Sequence, residues 1–296
     1  MKVVYKPNKG LAILELLFYI IIANGLVFIL TKFIDAYIET RVIITLVIAF
    51  SIYCIYYILL DRSLKYILTD EAIEINGLWG FKKNIIKFNE IDGYLIQDGN
   101  IHGFRLSGFG RLNYCFGRCV VEKVGISHMF VTASKQIMYI HTEEMSYGIS
   151  PKDIRSIEEV FISKGIEIKE FEVKKNKNVD LFKQKTFFIP FIIVSLVVIV
   201  MTLNPFVLYL MNKLPGVMPL AFNSNFTPIL YGTGKQFAFK QMTYGALNMV
   251  VLFCMYYAAY FCARYDRRSA YKYIYISLIL TLSFFIIQLQ ILGYYI

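Results

Sequence analysis

The chain has 296 residues, 57% hydrophobic and only 18% charged, with a net charge of +10. A soluble protein this apolar would expose large sticky patches, so the composition argues against a wholly soluble fold. It argues against a nucleic-acid-binding domain too: between Asp61 and Lys185 stand 19 basic and 17 acidic residues, so the basic surplus lies near the ends of apolar runs.

The first apolar run extends over about 11–30 and the second over 42–60, with the short polar link 31–41 between them. Each is about 20 residues, enough to cross roughly 30 Å of hydrocarbon as a helix. Residues 1–62 are therefore expected to form a transmembrane hairpin. The first run is too long for the apolar core of a secretory signal and lacks a small-residue cleavage site after it. Glu15 lies within the first run, one turn from its end, and is expected to reach the head-group layer.

Residues 63–172 change character. Tyr66–Thr69 and Ala72–Asn76 alternate as short strands around Asp70-Glu71, with Ile73 and Ile75 on one face and Glu74 on the other. His128–Ala133 and Gln136–His141 read as a second pair of strands around Ser134-Lys135. Gly93, Gly99, Gly103, Gly108, Gly110 and Gly117 mark turns or bulges. One helix closes the segment: Ser150 is its expected N-cap, Pro151 its first residue, Ile154, Ile157 and Phe161 its buried stripe, and Gly165 its stop. The basic stretch 174–178, within a linker of 173–186, leads to the next apolar run.

Three further spans follow, at about 187–210, 244–263, and from 273 almost to the end. Pro190 and Pro205 lie in the first of them, and Gln288 and Gln290 in the last. Between the first two lies a segment, 211–243, rich in proline, asparagine and aromatic residues. Phe222, Phe226, Tyr231, Phe237 and Phe239 are its candidate interfacial anchors. Basic residues near the span ends number eleven on one side and five on the other. That asymmetry places the N-terminus and the central domain in the cytoplasm and, with five spans, the C-terminus outside.

The five cysteines show no paired framework and are expected as free thiols in a reducing compartment. No P-loop, nucleophile elbow, HExxH or paired CxxC occurs. Cys115 and Cys119, with His102 and His128, have poor spacing for zinc. No catalytic residue, metal site or cofactor is expected.

Two stretches carry resemblances. Phe104-Arg105-Leu106-Ser107-Gly108-Phe109-Gly110, Gly117, and Tyr147-Gly148-Ile149-Ser150-Pro151 before a helix resemble the bacterial pleckstrin-homology (PH) domains of membrane proteins, over about a hundred residues. That resemblance implies a half-open barrel with a C-terminal helix, used for protein or lipid contact without catalysis. Leu214-Pro215, Pro219, Phe222-Asn223, Pro228 and Tyr231-Gly232 resemble a membrane domain also found in immunity proteins of the sporulation-delay toxin type, with Lys235 standing one residue later than that family's Lys. Ala221, Phe226 and Ile229 stand where that family has His, Gly and Asp. The resemblance implies protection against, or sensing of, a membrane-active agent, with an extracellular peptide as candidate ligand. It makes Pro215, Pro219, Phe222, Asn223, Pro228, Tyr231, Gly232 and Lys235 the candidate recognition residues. The alternative is a membrane-anchored scaffold whose PH-like domain recruits a cytoplasmic protein or lipid. The expected partners are membrane lipids and a cytoplasmic protein, with no nucleic acid; the patterns do not fix an oligomeric state.

Overall fold

The structure is a computed structural model that describes residues 2–171 and 179–296. The basic stretch 174–178 of the expected linker lies outside the described residues. The chain divides into two compact units, Met1–Ile20 with Ile52–Lys177, and Ile21–Ser51 with Asn178–Ile296.

Among the described residues, five helices are long and apolar enough to cross a membrane: α1 (Ala12–Phe33), α2 (Tyr37–Ser63), α4 (Lys185–Leu210), α5 (Gly234–Ala263) and α6 (Arg267–Tyr295). Two begin earlier than hydropathy alone indicates. The polar first turns of α5 and α6 are closed by side-chain caps, Thr233 with Gln236 in a capping box and Asp266 accepting from the Arg268 and Ser269 amides.

Among its described residues the first unit holds two sheets. One orders β1 (Val3–Tyr5), β2 (Lys65–Leu68), β3 (Ala72–Gly77) and β4 (Lys82–Lys87), all antiparallel. Residues 3–5, ahead of the first long helix, thus join the sheet, and β1 and β2 flank the entire α1–α2 segment in the chain. The other sheet comprises β5 (Ile91–Asp98), β6 (Gly103–Gly110), β7 (Cys115–Val121), β8 (Gly125–Val131), β9 (Gln136–Thr142) and β10 (Ser146–Ile149), in the order β5-β9-β10-β8-β7-β6. The expected pairing of the 128–133 and 136–141 strands is not formed. β10 lies between them, antiparallel to β9 and parallel to β8.

Buried Tyr66 joins the two sheets: its hydroxyl donates to the Phe130 carbonyl at 2.6 Å and accepts from the Ser150 amide at 3.2 Å. The core continues from Phe116, Phe130 and Ile140 to Leu16 on α1, and to Tyr57 and Leu60 on α2. Helix α3 (Arg155–Ser163) closes it with Ile157 and Phe161. This helix starts later than expected, because the Ser150 hydroxyl instead accepts from the Thr132 amide and Pro151 bridges to Pro7. Asp153 supplies the carboxylate that Ser156 hydrogen-bonds, and Gly165 follows the helix at φ +73.

In the second unit α4, α5 and α6 pack together. Gly245 on α5 lies where a Cβ would meet the Thr202 hydroxyl of α4 at 2.0 Å, so glycine permits this close crossing. Pro205 cannot donate to the Met201 carbonyl four residues before it. Gln288 of α6 does so instead, at 2.8 Å.

Candidate functional site

The expected outer segment 211–243 is not a loop throughout. It folds as the hairpin β11 (Val217–Phe222) and β12 (Pro228–Thr233) and runs directly into α5. Most of the candidate recognition residues are used to build it. The Asn223 carboxamide oxygen accepts from the Asn225 and Thr227 amides, making the turn that places Phe226 at φ +64. Buried Phe222 stacks on Phe226 at 4.7 Å and 3°, and Phe226 packs on Tyr37. Asp35 accepts from the Ser224 amide at 2.9 Å and ties the turn to the α1–α2 link. Pro219 is buried opposite Tyr231. Pro215 approaches Gly234, and Gly232 leaves room for Leu220 and Gln236. Pro228 is half-buried. Only Tyr231 and Lys235 among the eight are exposed, next to exposed Val217, Ile229 and Leu230.

A second candidate site lies on the β6–β7 hairpin. β6 is an edge strand of its sheet. Beside it opens a cleft of about 380 Å³ lined by Phe104, Arg105, Arg111, Leu112, Cys115 and Cys119, among others. Its rim is fixed to the start of α1. Glu15 accepts from the Tyr114 hydroxyl at 2.8 Å and pairs with Arg111 at 3.1 Å, while Arg111 also donates to Tyr19. Burial and this bond to Glu15 push the Tyr114 hydroxyl well above its usual value. So Glu15, inside the first apolar run, is held by Tyr114 and Arg111 of the folded domain. Nothing in the sequence marks partners 99 positions apart.

Residues 64–164 match the bacterial PH domain family. An uncharacterized protein of Clostridium acetobutylicum is 39% identical over 292 residues, which cover 98% of each chain. The chain belongs to the family of that clostridial protein and carries a bacterial PH domain. No solved structure matches it. The shared length takes in both units. Lys82 of the PH domain donates to the Tyr56 hydroxyl at 3.3 Å and sits 5.2 Å from the Phe130 ring centre. Burial, and then Arg118, lower its pKa. Aromatic faces stabilise a cation so placed. Among the described residues, no three His, Cys, Asp or Glu side chains converge as a metal site.

Proposed function

We propose that this is a non-enzymatic, five-span bacterial membrane protein that acts as a scaffold, with its PH domain in the cytoplasm engaging a protein partner at the β6–β7 cleft. The observation that carries this reading is the pairing of β1 with β2 across the α1–α2 segment. It ties the strand before α1 and the strand after α2 into one sheet, so the start of α1 and the end of α2 belong to the same compact unit as the PH domain. Exposed Phe104 beside Arg105 on the edge strand β6, and exposed Leu112 beside Arg111 in the turn that follows it, have the make-up of a protein-binding surface. The basic asymmetry of the span ends supports the orientation. The test places a photo-crosslinking amino acid at Leu112 in the full-length protein in living bacteria. One discrete protein adduct is expected, absent when the crosslinker replaces Lys135. Adducts no stronger than at Lys135 would overturn the reading.

A second reading, immunity or sensing toward a membrane-active peptide, is favoured by one feature, the exposed apolar strip Val217, Ile229, Leu230 and Tyr231. It requires that expression protect a sensitive bacterium and that Ile229→Asn with Tyr231→Asn abolish protection. Unchanged sensitivity across a peptide panel counts against it.

A further inference from the structure

Cys115 and Cys119 stand four positions apart on β7. In a regular strand that spacing would separate them by roughly 13 Å. Gly117 between them takes φ +117, its register partner Gly108 takes φ +98, and the hairpin slips register between Arg105 and Ser107. A Cβ on Gly117 would lie 2.3 Å from the Ser107 carbonyl oxygen, so glycine is required at this bend. The bend brings the two sulfurs to 2.7 Å. A disulfide bond is about 2.0 Å long, so closure needs little side-chain movement.

Both thiols are buried, yet both line the cleft beside β6, which gives a small oxidant a route to them. The Tyr139 hydroxyl, buried and without a hydrogen-bond partner, packs in the same cluster. The hydrogen bond with Cys119, and then burial, hold the Cys115 proton well above the usual thiol value.

We propose that Cys115 and Cys119 are a redox-active dithiol that closes to an intrachain disulfide on reaction with a low-molecular-weight disulfide. The Cys119 thiolate, its proton released to solvent, attacks one sulfur of the external disulfide. That S–S bond breaks and the first small thiol leaves, taking up a proton. The Cys115 sulfur then attacks Cys119 in the mixed disulfide, gives up its proton and expels the second small thiol. The protein loses two electrons and two protons, and the external disulfide becomes two thiols. In a reducing compartment such a bond is transient and sensory rather than structural.

The test uses the full-length protein in membranes, treated with oxidised glutathione, alkylated and digested with trypsin. Cleavage after Arg118 separates the two cysteines into peptides 112–118 and 119–123, which then remain together only through a disulfide. The expected result is this linked pair, two of the five thiols lost to alkylation, and full recovery after dithiothreitol. Cys115→Ser should instead leave Cys119 as a stable glutathione adduct. Recovery from the wild-type protein of both peptides singly alkylated, each carrying glutathione, or joined to other cysteines would overturn the proposal.

Discussion

The two units place their polar groups in opposite positions. In the PH domain, aromatic and aliphatic side chains fill the core, and ion pairs such as Lys83 with Glu74 lie outward. In the helical unit, leucine, isoleucine and phenylalanine face outward, as at Leu196, Phe253 and Ile286, while Gln241, Asn248, Ser277, Thr281 and Gln288 are buried. Thr281 donates to the Asn248 carboxamide at 3.2 Å, and Gln288 also bonds Gln241. Water as solvent selects the first arrangement and lipid the second, because helices in lipid gain little from burying apolar groups against one another. The inversion supports reading the long helices as membrane spans.

The comparison is most easily broken in the PH domain. Phe161 packs edge-on against Phe88 and Tyr94 in the core. Phe161→Ala should cost about 3–5 kcal/mol, a large share of the roughly 5–15 kcal/mol that holds a typical domain folded, and so raise its open fraction steeply. Limited proteolysis in membranes should then cleave residues 64–164 while α4–α6 stay intact; equal loss of both would refute separate cores.

In the helical unit the corresponding test is polar. Gln288→Leu leaves the Met201 carbonyl unpaired and should cost about 1 kcal/mol. Pro205→Ala restores the missing backbone donor, so adding it should return most of that loss. A thermal-shift double-mutant cycle reads the coupling, and additive effects would show that Gln288 does not answer the proline.

The smallest effect sharpens the contrast at the surface. Hydrogen bonds from Ser156 hold the Asp153 carboxyl below its ordinary value of 3.8. The folded state therefore binds this proton less readily than the unfolded one. The stabilisation is complete above the ordinary carboxylate value and is lost as pH falls through the lowered one. An NMR titration should place Asp153 below 3.8, and Ser156→Ala should raise it; a midpoint at the ordinary value would contradict the cap.

Long helices were legible because every turn of an apolar span repeats the same message, and Tyr66–Leu68 and Ala72–Asn76 showed their period of two. Pairing was not, because β10 enters between β8 and β9 from beyond both, and no local pattern encodes that. The three residues of β1 are too few to show a period. Ser150 misled because its hydroxyl, a natural cap, is taken by Thr132. Among the candidate recognition residues, sequence marked the backbone-shaping positions of the 217–233 hairpin, but prolines, Asn223 and Gly232 look alike whether they build a turn or meet a ligand. The Glu15–Arg111–Tyr114 cluster was hidden by its separation in the chain, and the approach of Cys115 to Cys119 by a glycine bend that reverses ordinary strand spacing.

The pairing of β1 with β2 also imposes an order on biosynthesis. Val3 leaves the ribosome first, but its partner Leu68 does not exist until both helices of the intervening segment have been made. At about 5–20 residues per second, the first strand waits several seconds. The sheet therefore cannot close around a hairpin that has not yet been synthesised, and completion of the domain reports that its anchor is already in the chain.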